Sequence, residues 1–397
     1  MMRSVLSILV FAFVLSACNS NGTSEAQEEI NSYLSSIDKE TTPEEYEQLK
    51  KDVSNYFYEG RLEDINKYVD YRALISITLD KMDLEGIKIE FFDAMTEELA
   101  KRGDYWESTS WGTSYYDCVK EYMNEDGHSV LVFRSFGDAG INYDEFVLAK
   151  VEGEVKIIDI FNVGNGQFLS EIMREFVTNL MNSKNKNLDP KESELLMEDI
   201  VDDIQYEDYE SALEKYQLLP TELKQTRVMK LMELRLYMWL DEEVYAEKVD
   251  AYRASYPHDA CLDLMLIDYY TIKEDYEMTI ESIKAIEEVY PDDGVLDFYK
   301  GGYYLEMNDC QSALNAFNNA VLSDDEIYDF KDGLSIAYID CDQKEKGFAM
   351  VDELIDLGYY SYSDFDYYLS ISYDNYTSWP AYQKWISQYD TINSSSL

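Results

Sequence analysis

The chain has very little histidine: among 397 residues there are two, His128 and His258. Neither has a serine or cysteine nearby in a recognisable nucleophile setting, so no acyl-transfer site is expected. Both are read as surface turn residues, and zinc is not expected. Basic residues are also scarce, 33 Lys+Arg against 81 Asp+Glu, a net charge of −48. Such a field repels phosphate backbones and anionic headgroups, which argues against nucleic acid and against adhesion to lipid by charge. There are 6 Pro and 17 Gly. So few breakers favour long helices. The five cysteines are Cys18, Cys118, Cys261, Cys310 and Cys341, too widely spaced for a metal motif. Disorder is excluded by a content of 46% hydrophobic and 14% aromatic residues, including 36 Tyr. The length accommodates two or three domains.

Two patterns imitate functional motifs. Gly164-Asn165-Gly166 follows a strand pattern and precedes a helix. The third glycine of a dinucleotide fingerprint is replaced by Leu169, and the preceding strands form hairpins, so this is a strand-to-helix turn. The acidic clusters Asp199 to Asp203, Asp292-Asp293 and Asp324 to Glu326 lack the alternating ligands and Gly of a calcium loop. They read as solvated helix ends. No metal and no cofactor are expected.

The first residues have the parts of an export signal: Arg3, the apolar run Val5 to Val14, then Leu15-Ser16-Ala17-Cys18. The run is shorter than the roughly 20 residues a span requires. Leu-Ser-Ala-Cys resembles the lipobox of bacterial lipoproteins. That resemblance implies cleavage after residue 17 and lipid on Cys18, several acyl chains holding the protein firmly. Residues 18–42 are expected to form a tether, polar and small from Asn19 to about Glu29.

The C-terminal half repeats. Tyr256-Pro257 and Tyr290-Pro291 are 34 residues apart, and Asp325 lies 34 further on. In the clearest unit, Gly294 to Asp325, Gly301 and Tyr304 are followed by an Asn308-Asp309 turn, then Ala313, Phe317 and Ala320. This resembles the tetratricopeptide repeat. Small residues let the two helices approach, and Tyr304 and Phe317 fill the space between them. The preceding unit places Ile267, Tyr270, Thr279, Ile283 and Ile286 at those positions. The following one places Ser335, Tyr338, Gly347, Val351 and Leu354. Two earlier units, about Thr226 to Pro257 and the helix with Ala212, Tyr216 and Leu219, match less closely. Residues 190–358 are read as this solenoid and 359–397 as a Tyr-rich helical cap for its open end.

Residues 43–185 read as helices from Pro43 to Lys101, then four alternating runs: Thr113 to Met123, Ser129 to Phe136, Tyr143 to Val151 and Glu154 to Val163. The last two are joined by the two-residue turn Glu152-Gly153. A linking helix, Phe168 to Met181, follows. The fold class expected is therefore an α+β N-terminal domain, helices plus a four-stranded antiparallel sheet, followed by an all-α tetratricopeptide-like solenoid. The element order resembles the cystatin-like cone of nuclear-transport-factor-like domains. In that superfamily the cone holds a ligand, is catalytic, or packs against partners.

Two functions follow. The first is a lipid-anchored cell-envelope scaffold, without enzymatic activity, that binds an envelope protein or peptide in the repeat groove. The outer membrane is implied if the host has one. By the resemblance, the first helix of each repeat lines the groove, which nominates Lys230, Tyr237, Asp268, Phe298, Glu306 and Asp332 as partner-binding. Their mostly acidic character suits a peptide with basic and apolar residues. The second is a small-ligand or enzymatic module in the cone. No paired acid and base supports catalysis there. Cys310 and Cys341, near the turns of successive repeats, are candidates for a disulfide. Cys118 and Cys261 are expected simply to be buried.

Overall fold

A computed structural model describes residues 23–80, 82, 89–101, 112–138, 140–183, 190–257 and 259–394. Cys18, the signal segment and His258 lie outside the described residues. The chain forms two compact units, Met1–Met265 and Leu266–Leu397.

In the first unit, helices α1 (Thr23–Ser36), α2 (Pro43–Tyr58), α3 (Tyr71–Leu79) and α4 (Ile89–Lys101) precede an antiparallel meander. Its strands are β1 (Tyr115–Met123), β2 (Ser129–Gly137), β3 (Gly140–Val151), β4 (Glu154–Asn162) and β5 (Gln167–Phe168), paired in sequence order. The sheet thus has five strands, not four. The fifth was missed because two residues are too short to show alternation, and they pair only with Phe161 and Asn162. The β3–β4 turn carries positive φ at both Glu152 (52°) and Gly153 (86°). That is the backbone twist a two-residue hairpin needs.

The expected tether is a helix from Thr23 onward. The residues that hold it lie beyond the polar stretch: Ile30 is 1% exposed in the core. Arg72 pairs with Glu29 and lies 5.3 Å over the Tyr33 ring and 5.0 Å over Phe92. Helix α2 opens on Thr42, whose N–H donates to Glu45 at 2.9 Å, and α3 on Asp70, which accepts from the Ala73 N–H at 2.8 Å. Phe133, Phe146, Leu148 and Ile160 of the sheet pack with Leu49, Val53, Leu74, Phe92 and Met95 of the helices. A separate cluster joins Val130, Val147, Ala149 and Ile158 to Ala73, with Tyr33 and Ile37 packed against it. Strand β2 is buried from Ser129 to Phe136.

His128 is not a surface turn residue. It is 9% exposed, and its Nδ1 lies 3.0 Å from the Leu148 carbonyl across the sheet. Burial lowers its pKa. The turn signal Asn124 to Gly127 placed it one residue too far toward solvent.

Helix α5 (Leu169–Ser183) leaves the sheet. Then come paired helices: α6 (Pro190–Gln205) with α7 (Tyr209–Leu218), and, after the short α8 (Thr221–Lys224), α9 (Arg227–Leu240) with α10 (Glu242–Ser255). Helix α11 (Ala260–Ile272) crosses into the second unit, where it is followed by α12 (Tyr276–Val289), α13 (Gly294–Glu306), α14 (Cys310–Ser323), α15 (Tyr328–Asp340) and α16 (Lys344–Asp356). The repeat is visible in its turns. Glu207, Glu274, Asn308 and Asp342 all take positive φ, between 56° and 60°. Asp208, Asp241, Asp275 and Asp309 each cap the second helix of a pair by accepting a backbone N–H three residues on, at 3.1 to 3.2 Å. Glycine permits the closest approach of α13 and α14: a Cβ on Gly301 would lie 2.7 Å from the Phe317 ring. Helices α17 (Tyr362–Ser372) and α18 (Pro380–Ser394) bury Phe365, Leu369 and Trp385 against Ile339, Phe348 and Val351.

Within the first unit, the Gly164–Gln167 turn is where helices meet sheet. The Gly164 carbonyl accepts from Arg235 at 2.7 Å and from the Cys261 thiol at 3.2 Å. Its N–H donates to Asn142 at 2.7 Å. Gly166 (φ 66°) faces Arg227 and Asp259, an ion pair of 2.8 Å completed by the Tyr252 hydroxyl. The turn that imitates a dinucleotide motif is thus occupied by protein.

Tyrosine supplies many of the hydrogen-bond donors that the scarce Lys and Arg do not. Hydroxyls of Tyr33, Tyr46, Tyr58, Tyr68, Tyr116, Tyr122, Tyr373 and Tyr382 donate to Asp70, Glu121, Asp117, Asp52, Asp144, Glu145, Asp340 and Asp366 respectively. A hydrogen bond to a charged acceptor contributes about 1.5–3 kcal/mol where it is shielded from water.

Candidate interaction surface

The first helices of the pairs carry polar and aromatic residues that stay exposed or half-buried. In the second unit these cluster on α11, α13 and α15. Asp268 is exposed on α11. Tyr299 and Tyr303, one turn apart on α13, are half-buried. The Thr271 hydroxyl donates to Tyr303 at 2.8 Å, and the Tyr276 ring stacks on it at 6.0 Å. Burial raises the pKa of both Tyr299 and Tyr303, with Asp268 adding to the rise in each. Asp268 lies one turn before Thr271 on α11, whose hydroxyl bond to Tyr303 joins the two helices. Tyr299, Tyr303 and Thr271 were not nominated from sequence. Their i, i+4 spacing on the helix that carries Phe298 was the available signal.

The other nominated residues have different surroundings. Glu306 is exposed at the end of α13, one turn after Tyr303. Phe298 packs edge-on to Phe317 at 5.6 Å and against Phe330 at 5.5 Å, so its ring is largely engaged in the interior. Asp332, on α15, is mostly enclosed. Burial raises its carboxyl to about 6, while the Tyr360 hydroxyl beside it acts in the opposite sense. In the first unit Lys230 and Tyr237 lie on α9, both half-buried. Lys248 places its ammonium 5.0 Å over the Tyr237 ring and pairs with Glu233 at 2.9 Å.

Cys310 and Cys341 form a disulfide with Cα atoms 5.5 Å apart, joining the turns of successive pairs. Burial raises the thiols of Cys118 and Cys261 to about 12, so both are poor nucleophiles at neutral pH. Among the described residues no group of three or more His, Cys, Asp or Glu is placed to hold a metal ion. Nor is any helix among them long and apolar enough to cross a membrane.

The first unit also has an open groove of about 670 Å³, lined by residues that include Tyr33, Asp70, Arg72, Glu152 and Lys156. The Tyr33 hydroxyl donates to Asp70 at 2.8 Å, and Lys156 pairs with Glu154 at 2.9 Å.

No protein-family model matches the chain, and no curated protein matches it. Among solved structures, MamA from Desulfovibrio magneticus RS-1 is similar at 14% identity over 42% of this chain and 95% of that one, with a TM-score of 0.36. MamA MSR-1 is similar at 13% identity over 42% and 98%, TM-score 0.33. MamA AMB-1 is similar at 14% over 41% and 97%, TM-score 0.33.

Proposed function

We propose that this chain is a lipid-anchored scaffold of the cell envelope that holds a protein or peptide on its helical pairs. The observation that carries the reading is the face formed by Asp268, Tyr299 and Tyr303. A carboxylate and partly covered aromatic rings on a helical-repeat face suit basic and apolar side chains. The disulfide between Cys310 and Cys341 supports an exported location, because such bonds persist in oxidising compartments. Cys18 carries the lipid, and in a host with an outer membrane the anchor sits there. The reading is not enzymatic: His128 is committed to the Leu148 carbonyl and both free thiols are buried. A ligand module in the sheet domain is the weaker reading, since Phe133, Phe146 and Tyr116 are buried in the packed core between sheet and helices.

The test is in-cell crosslinking of tagged full-length protein, with Cys18→Ala as the unanchored control and a clickable fatty acid to report acylation. One abundant adduct mapping to α11 or α13, together with label that disappears in the variant, supports the reading. Label retained by Cys18→Ala removes the anchor. The absence of any adduct above the control removes the scaffold.

A further inference from the structure

The tips of the helical pairs repeat a surface pattern that packing within each pair does not require. Tyr206, Trp239 and Met307 each stand two residues before the capping Asp of the second helix, in the first, second and fourth pairs, and Ile272 stands three before it in the third, all at or just past the end of the first helix. In that order they are 81, 50, 37 and 48% exposed. Isolated apolar residues on a surface are ordinary, and what sets these apart is that each lies beside the turn of its pair.

In the second unit a ring stack joins two neighbouring tips, that of α11–α12 and that of α13–α14. Ile272 ends α11, Tyr276 begins α12 and stacks on Tyr303, and Met278, 41% exposed, follows. Met307 follows α13. At these tips stand Glu274, Asp275, Glu306 and Asp309. Asp275 and Asp309 cap helices, and among the described residues none of the four forms an ion pair with a basic side chain. Glu274 lies two residues before Tyr276, and Glu306 lies one turn after Tyr303, on which the Tyr276 ring stacks. The neighbouring base, Lys273, lies over the Tyr269 ring at 5.8 Å. The first unit repeats the composition by itself: Trp239 stacks on Tyr209 at 5.5 Å, with Glu207 and Asp208 in the adjoining turn. Apolar tips edged by such carboxylates repel anionic lipid and complement a chain that alternates basic and apolar side chains.

We propose that the hairpin-tip edge of the second unit, built on Ile272, Tyr276, Met278 and Met307, docks a cationic amphipathic segment of a partner protein. Its apolar side chains cover Ile272 and Met307, and its Lys or Arg side chains meet Glu274 and Glu306 and lie against the Tyr276 ring. This rests on the scaffold reading but assigns the contact to the tips rather than to the first-helix face.

The full chain is titrated with a fluorescein-labelled peptide of alternating Lys and Leu and with its Glu-Leu counterpart, by fluorescence polarisation. The Lys peptide binds, more weakly as salt rises. Ile272→Ser with Met307→Ser, and separately Glu274→Gln with Glu306→Gln, weaken it by at least about tenfold. Val289→Ser with Leu322→Ser, which removes exposed apolar residues elsewhere in the unit, leaves binding unchanged. Equal binding of both peptides, no binding, or equal loss in the control pair overturns the proposal. A photo-crosslinking residue at position 272 or 268 in cells separates the two readings. A partner captured from 268 but not 272 overturns the tip assignment and leaves the scaffold standing. Capture from neither overturns both.

Discussion

Replacing Asp332 by Asn makes the second unit more stable at neutral pH, although it removes a charge from a helix. Burial holds the Asp332 carboxyl at about 6, against an ordinary value of 3.8. The folded state therefore keeps its proton over a range in which the unfolded chain has already lost it. Stability from this group is fully present below pH 3.8 and declines as pH rises to about 6, after which the loss is constant. A shift of this size corresponds to about 3 kcal/mol at most, at 1.36 kcal/mol per pH unit. Asn keeps the shape but has no charge to desolvate. The variant should match the parent near pH 4 and exceed it by up to about 3 kcal/mol at pH 7. Hydrogen–deuterium exchange of α15 peptides at pH 4, 5, 6 and 7, corrected for the intrinsic exchange rate, isolates this unit from the rest of the chain. A difference between variant and parent that stays constant across the series would refute the argument. So would a variant that is less stable at pH 7.

Cys310→Ser with Cys341→Ser removes a cross-link spanning 31 residues, which chain entropy values at about 3–4 kcal/mol. The urea midpoint of the second unit should fall accordingly, and reduction of the parent protein should reproduce the fall. Gly301→Ala places a methyl 2.7 Å from the Phe317 ring and should cost about 1–3 kcal/mol by thermal unfolding, whereas Gly302→Ala, with open space around it, should not. Tyr46 and Tyr68 are pushed up to about 12, by burial first and then by the carboxylates of Glu121 and Asp52. Their contribution to stability is complete below pH 10 and is lost as pH rises toward 12. Absorbance at 295 nm should show this as delayed ionisation in the parent protein, moving toward pH 10 in Glu121→Gln or Asp52→Asn for the matching tyrosine.

The helical pairs were legible because their signals are local. An Asp cap, a left-handed turn residue and a small residue facing an aromatic all lie within one or two turns of chain, and the 34-residue period repeats them. The β3–β4 turn was legible for the same reason, since Glu152-Gly153 carries its own backbone requirement. Helix α1 was not, because its first residues look like a linker. What makes it a helix is Ile30 in a distant core and Arg72, 43 residues on from Glu29. His128 was misplaced because a turn signal gives the position of a loop but not the depth of the residue that follows.

By itself the sequence determined the order of elements, the repeat period and the acidic character of the surface, all properties of neighbours along the chain. It also left Cys310 and Cys341 beside the turns of successive pairs, where they can bond once the pairs stack. Tertiary structure alone decided which tyrosine satisfies which carboxylate, as in Tyr58 with Asp117, 59 residues apart. It also decided that Phe298 turns inward, that Asp332 is enclosed, and that the Gly164–Gln167 turn receives Arg235 and Cys261. Those outcomes depend on desolvation and on contacts between residues far apart in the chain, and local pattern encodes neither.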